Sequence, residues 1–288
     1  MTEAQPRHTP RVTALWHFLK TPKGLVLIAL ALLLALAVPV AGFQRAGPGL
    51  IAAAVASMGF DALVLRWRSG RWAFPSGALL TALIVAMVLG SEEPWWITTL
   101  TSLAGVASKY IFRSRTANVF NPAAFGIIAT FYVFGTAQSW WGALPDLPLA
   151  AIAVLFATGI YVAYRVNKLP MVIVFLGLYY LAFTLLAWTS DPREVAEIFR
   201  PPDLHAVLFF AFFMLTDPPT APTRNGDQMI YAAIVAAFSV AAFAVVGVVY
   251  YLLAGLLAGN VWEAHRRWRA RRSKTRPAAA AVAAISSC

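Results

Sequence analysis

Residues 24–43 read GLVLIALALLLALAVPVAGF, a run of twenty residues with no charged or amide side chain. At 1.5 Å per residue such a helix is about 30 Å long, the thickness of a bilayer's hydrocarbon core. A surface helix of a water-soluble domain is apolar along one stripe only, whereas this segment is apolar on every side. His17, Lys20 and Lys23 precede it, as basic residues precede a secretory signal, but the run is longer than a signal's apolar core, so a retained membrane span is expected.

Similar runs recur outward from it, at 48–65, 74–90, 95–112, 122–137, 147–165, 169–188, 203–216, 228–243 and 246–263. The eighth is short. The last two form one apolar stretch too long for a single crossing, and Gly247 is the residue at which it is expected to break. The composition agrees: 60% of the 288 residues are apolar or aromatic and 12% are charged, against about 25% charged in ordinary soluble domains. The expected fold class is therefore an all-α integral membrane protein of about ten transmembrane helices.

The formal net charge of +11 would suggest nucleic-acid binding in a soluble chain. Here the bases lie between apolar runs, where they set topology by staying on the cytoplasmic side. With the N-terminus inside and ten crossings, all of the 23 Lys and Arg except Arg45, Arg193 and Arg200 fall on the cytoplasmic face. The acids Glu92, Glu93, Asp146, Asp191, Glu194, Glu197 and Asp203 fall outside. The expected organisation is a cytoplasmic tail at 1–23, a ten-helix membrane domain at 24–264 and a basic cytoplasmic tail at 265–288. The chain would sit in a bacterial-type inner membrane, with the lipid bilayer as partner and no nucleic acid. Ten spans also permit two inverted five-helix halves, since an odd number per half reverses the second.

Several chemistries are not offered. Cys288 stands alone, so the chain holds neither an internal disulfide nor a cysteine-ligated metal or iron–sulfur site. The four histidines, His8, His17, His205 and His265, are scattered, and no Gly-x-Ser-x-Gly or His-Glu-x-x-His pattern occurs. No catalytic constellation and no metal site are expected.

Four segments interrupt the apolar runs, and all fall near the cytoplasmic face. Phe74-Pro75-Ser76-Gly77-Ala78-Leu79-Leu80-Thr81 opens the third span, with Ser76 placed to cap it. Asn118-Val119-Phe120-Asn121-Pro122 opens the fifth, with Asn121 as cap and Pro122 in the first turn, and helix N-terminal amides there suit an anion or are consumed by the cap. Thr216-Asp217-Pro218-Pro219-Thr220-Ala221-Pro222 closes the short eighth span. Its prolines stop the helix and fix an extended backbone, as in a re-entrant segment or a rigid surface turn. Asp61 and Lys109 lie just inside the apolar boundary, either as an intramembrane ion pathway or snorkelling to the surface.

Asp61-Ala62-Leu63-Val64-Leu65, Ser76-Gly77-Ala78-Leu79-Leu80-Thr81, Glu93-Pro94-Trp95-Trp96, Asn121-Pro122-Ala123 and Thr216-Asp217-Pro218 stand in an order and spacing that resembles RnfD, a membrane subunit of Rnf electron-transport complexes. The pattern is also similar to that of NqrB, its counterpart in sodium-pumping NADH:quinone reductase. The resemblance implies an inverted repeat similar to urea transporters, a flavin (FMN or riboflavin) and other subunits of a membrane redox complex as partners. It points to Ser76, Thr81, Asn118, Asn121, Pro122, Thr216, Asp217 and Pro218 as cofactor-binding candidates. In that family one flavin is esterified to a threonine in a Ser-Gly-Ala-Thr-like motif in the outer loop after span five. The corresponding loop here, Ala137-Gln138-Ser139-Trp140-Trp141-Gly142-Ala143-Leu144-Pro145-Asp146, lacks it and Thr136 precedes it in other company. A non-covalent flavin near the inner motifs is the expectation, with Trp140 and Trp141 as interfacial anchors.

Three functions follow as alternatives. The first is a redox-complex subunit that holds or borders a flavin and relays electrons, with or without coupled ion movement. The second is a carrier or channel for a small solute or ion, lined by Asp61, Lys109 and Asp217. The third is a cofactor-less scaffold for redox partners.

Overall fold

The computed structural model describes residues 16–114, 117–148, 150–189 and 192–285, with the side chains of 194 and 273–285 outside that description. The expected placements of Arg7, His8, Arg11, Arg115, Asp191 and Cys288 lie outside the described residues, as do those of the Glu194, Lys274 and Arg276 side chains.

Each apolar run is a helix. In chain order they are α1 (Pro22–Ala41), α2 (Phe43–Ser69), α3 (Ser76–Val88), α4 (Trp95–Ile111), α5 (Pro122–Phe134), α6 (Ala150–Arg165), α7 (Leu169–Leu186), α8 (Asp203–Met214), α9 (Asn225–Val246) and α10 (Tyr251–Ile285). Four of them, α1, α2, α7 and α9, are long and apolar enough to cross a bilayer by length and composition alone. The expected break in the long apolar stretch falls where the sequence places it. A π-helical turn, Ala242–Val246, closes α9 on Gly247 at φ 68°, a left-handed conformation that glycine adopts without a Cβ clash. Helix α10 then runs on through 265 as one helix.

The helix starts follow local chemistry. Thr21 caps α1 by accepting from the Gly24 amide at 3.2 Å, with Pro22 in the first turn. Asn121 caps α5 by accepting from the Ala124 amide at 3.1 Å, with Pro122 at the first position. Pro in the first turn sacrifices an amide that has no intrahelical partner. Ser76, expected as a cap, is instead the first helical residue of α3, and Pro75 occupies the cap position without a side-chain bond.

The ten helices form two five-helix units with the same packing order. Helix α2 packs on α4 and α4 on α5; in the second unit α7 packs on α9 and α9 on α10. Each unit also contains a short, largely buried helix, α3 in the first and α8 in the second. The twelve residues of α8 reach only about 18 Å, and from His205 to Met214 they are buried within the protein.

Glycines set the closest crossings. A Cβ at Gly126 on α5 would collide with the Thr101 carbonyl oxygen of α4, and one at Gly105 on α4 would lie 2.5 Å from the Pro122 carbonyl oxygen. In the second unit a Cβ at Gly255 on α10 would lie 2.6 Å from the Val235 carbonyl oxygen of α9. Within lipid, helices associate through dispersion contacts and hydrogen bonds, and small residues let backbones touch. Hydroxyls supply the hydrogen bonds: Ser57 of α2 meets Ser102 of α4 at 2.6 Å, and Thr101 of α4 meets Thr130 of α5 at 2.9 Å.

Candidate functional site

The two units meet where their irregular segments converge. The Asn121 backbone amide donates to Oδ1 of Asn260 on α10 at 2.7 Å, and Asn260 Nδ2 donates to the Tyr231 hydroxyl of α9 at 2.6 Å. Asn121 Nδ2 reaches the Met214 carbonyl at the end of α8, at 3.4 Å. That carbonyl closes a π-helical turn, Phe210–Met214; such turns widen a helix and are frequent at functional sites. Of these residues only Asn121 belongs to a motif visible in the sequence, and both asparagines are buried.

Thr216 and Asp217 follow directly. Thr216 Oγ1 donates back to the Phe212 carbonyl at 2.6 Å, and Thr220 Oγ1 donates to Asp217 Oδ2 at 2.9 Å. Burial pushes the Asp217 carboxyl up to about 6, opposed by the Thr220 hydroxyl and by the charges of Lys23, Lys109 and Arg267. The proline-rich segment after it is pinned from three sides. Arg267 donates to the Pro219 and Ala221 carbonyls at 2.9 and 3.1 Å, Lys168 Nζ donates to the Pro222 carbonyl, and Gln228 Nε2 donates to the Thr223 carbonyl at 3.3 Å. Glu263, buried, binds Arg266 and Arg267 at 2.7 and 2.6 Å, and Arg266 also meets Asp227 at 2.8 Å. Burial pushes the Lys168 ammonium down to about 8.

Asp61 and Lys109 do not snorkel. They form an ion pair at 3.3 Å, with the Asp61 side chain buried and that of Lys109 partly exposed, and the Tyr110 hydroxyl donates to Asp61 Oδ1 at 2.6 Å. Lys109 Nζ lies over the start of α3, 3.6 Å from where a Cβ on Gly77 would stand. Thr81 Oγ1 donates to its own helix at Gly77. Ser76 and Asn118 make no side-chain hydrogen bond among the described residues; the Asn118 backbone pairs with Arg113. The structure thus ties Asn121 to Met214, just before Thr216, Asp217 and Pro218; Asn121 and Thr216 are buried, Asp217 is half-buried and Pro218 is exposed. Ser76, Gly77, Lys109 and Asp61 form a neighbouring group that reaches Asp217 through the electric field of Lys109.

The outer loop differs from expectation. Trp140 and Trp141 are buried rather than interfacial, and Trp141 Nε1 donates to the Ala86 carbonyl of α3 at 2.7 Å; a satisfied indole N–H lets the ring serve as core. They border a cavity of about 690 Å³ whose other lining includes Gln138, Asp146, Asp203, Phe243 and Tyr251. Its ionisable lining is Asp146, Asp203 and Tyr251, without Lys, Arg or His, and Thr136, itself buried, does not line it. Two carboxylates and no base are a poor fit for a phosphate-esterified flavin, so the covalent group implied by the family pattern does not suit this loop.

Residues 17–151 match the model of the NQR2, RnfD, RnfE family. That match spans just under half of the chain. The D subunit of the ion-translocating oxidoreductase complex from Erwinia tasmaniensis is 31% identical over 121 residues, which are 41% of this chain and 34% of that protein. Its counterpart in Alcanivorax borkumensis is 22% identical over 245 residues, 64% of this chain and 71% of the relative. The one from Escherichia fergusonii is 23% identical over 262 residues, 64% and 74% of the two chains. The first of these alignments therefore spans about a third of its relative, and the other two span over two thirds of theirs. The family match covers the first five-helix unit, including Asp61, Ser76, Thr81, Lys109, Asn118, Asn121 and Pro122, and stops before Thr216, Asp217 and Pro218.

Sequence reasoning missed Asn260, Tyr231, Glu263, Lys168 and Arg267 as parts of this junction. Asn260 carried a signal: it is the one amide in the apolar run 251–262, and a polar residue inside a span marks a contact.

Proposed function

We propose that this chain is the RnfD-type integral membrane component of an Rnf-type electron-transport complex, acting with other subunits of that complex to relay electrons. The observation that carries this reading is the junction at Asn121. The Asn-Pro-Ala start of α5, within the family match, is hydrogen-bonded there to Asn260 of α10 and to the Met214 carbonyl, two residues before Thr-Asp-Pro. The proposed membrane is the bacterial inner membrane, with residues 1–23 and 265–288 cytoplasmic and 24–264 embedded.

The proposed cofactor is a non-covalent flavin, FMN or riboflavin, at the inner group beside the junction. Among the described residues the Ser76 hydroxyl and Asn118 carboxamide are uncommitted, whereas the polar atoms of Asn121, Thr81 and Thr216 already serve the fold. Lys109 and the first amides of α3 supply positive potential that favours a reduced, anionic ring. A bound flavin supplies one- and two-electron transfer; the protein supplies position, dielectric and exclusion of water.

The test is purification of the chain with its native complex, followed by acid precipitation and flavin measurement in both fractions. Flavin in the supernatant that disappears in a Ser76→Ala/Asn118→Ala variant supports the reading. A folded, colourless complex overturns the cofactor assignment, and a chain that purifies without redox subunits overturns the complex. Reporter fusions at Glu92 and Arg113 should report opposite compartments.

The largely buried Asp61–Lys109 pair favours one addition: an ion pathway along α2 and α4. Ion uptake that depends on electron flow and is lost in Asp61→Asn supports it, and uptake unchanged in that variant overturns it.

A further inference from the structure

We infer that the inner end of α2 is a built binding site for an anionic phospholipid, with headgroup and acyl chain held by different parts of the same helix. The acyl part is an exposed row at four-residue spacing, Ile51, Val55, Gly59, Leu63 and Trp67, in which each residue neighbours the next and the row winds obliquely along the helix. Its large side chains are 52%, 67%, 64% and 83% exposed in that order. Gly59 interrupts the row, and a Cβ placed there would meet nothing within 4 Å. On a helix bathed in lipid, a one-residue gap between Val55 and Leu63 is a shallow notch in which an acyl chain gains contact on two sides.

The headgroup part is the turn that follows, Arg66-Trp67-Arg68-Ser69-Gly70-Arg71-Trp72. Three arginines and two tryptophans stand there, all exposed, and none of the arginines forms an ion pair among the described residues. Their geometry is preset. The Arg66 guanidinium donates to the Gly70 carbonyl and lies 5.9 Å from the Trp72 ring centre, and the Arg68 guanidinium lies 4.9 Å over the Tyr110 ring. Phe18 packs edge-on against Phe74 at 5.8 Å, which brings the segment holding His17 and Lys20 against the same turn. Tryptophan prefers the interfacial depth, and guanidinium binds phosphate in a two-pronged manner.

Positive charge alone would serve topology. Here it adjoins a notched apolar row at the depth where a phosphate and a fatty acyl chain join, so charge complementarity commits the occupant to a phospholipid with a negative headgroup. At the basic α10 end, by contrast, Arg266 and Arg267 are consumed by Glu263, Asp227 and loop carbonyls.

The experiment is native mass spectrometry of the detergent-purified full chain, with phosphatidylglycerol and phosphatidylcholine of identical acyl chains. Phosphatidylglycerol adducts should persist preferentially. An Arg66→Gln/Arg71→Gln variant should reduce that preference about thirtyfold, at roughly the contribution of one basic residue near a membrane surface per charge removed. Gly59→Leu fills the notch without removing a charge, at a position where an added Cβ meets nothing within 4 Å, and should lower retention of both lipids. Equal retention of the two lipids by the wild-type chain overturns the site. So does an unchanged preference in the arginine variant, including a result in which that variant loses only an acidic soluble protein. Unchanged retention in Gly59→Leu overturns the acyl-chain half.

Discussion

The Asn121 amide and the Asn260 carboxamide meet at 2.7 Å across 139 residues of chain, joining the first five-helix unit to the last helix of the second. The bond is buried on both sides. Removing the Asn260 side chain orphans that amide and the Tyr231 hydroxyl, and each unsatisfied buried group costs about 1–3 kcal/mol. Asn260→Ala is expected to lower unfolding stability by about 2–4 kcal/mol, and Tyr231→Phe by less. Thermal unfolding in detergent checks the order; a Tyr231→Phe variant as damaged as Asn260→Ala would contradict it.

Gly126 sits with no room for a methyl group. Gly126→Ala should separate α4 from α5 and cost about 1–3 kcal/mol, the usual range for overpacking. Gly59→Ala, on an exposed helix face, should instead raise stability by up to about 1 kcal/mol through helix propensity. The opposite signs of the two shifts in melting temperature are the readout.

Asp217 predicts a pH dependence. Burial lifts its carboxyl from an ordinary value of 3.8 to about 6, so between those values the folded chain holds a proton that the unfolded chain has released. The resulting stability is complete below the ordinary value and is lost as pH rises through about 6. Melting temperature measured from pH 4 to 7 should fall more steeply for the wild type than for Asp217→Asn. Parallel curves would refute the assignment.

Arg267 holds two carbonyls of the proline-rich segment and one oxygen of buried Glu263. Arg267→Leu leaves that carboxylate half-paired, and breaking a buried pair costs about 3–5 kcal/mol. Protease should then cut within 217–224, while the wild type resists. Lys168→Met, which frees only the Pro222 carbonyl, should open the segment to a smaller degree.

The Asp61–Lys109 pair invites a double-mutant cycle. Asp61→Asn or Lys109→Met alone strands a largely buried charge and should cost about 3–5 kcal/mol, while the two together should cost less than either. Additive losses in unfolding stability would mean that the groups are not coupled.

The ten helices were legible because lipid leaves a simple code. Twenty apolar residues need no partner to be recognised, and Gly247 marks a break that no longer-range contact decides. Asn121 and Pro122 were legible as a cap and first turn for the same reason. The junction was only half legible. The partners of Asn121 are Asn260 and Met214, residues 139 and 93 positions away, and local pattern carries no information about which distant amide meets which. Trp140 and Trp141 were misplaced because tryptophan suits both the interface and a core in which a carbonyl is free, and the Ala86 carbonyl that decides between them belongs to another helix.

The crossings at Gly105, Gly126 and Gly255 carry a last consequence. Where backbone touches backbone at those three points there is no room for a water file, an ion or a ring. The contact between α2 and α4 is of another kind, lined by the Ser57 and Ser102 hydroxyls and the Asp61–Lys109 pair.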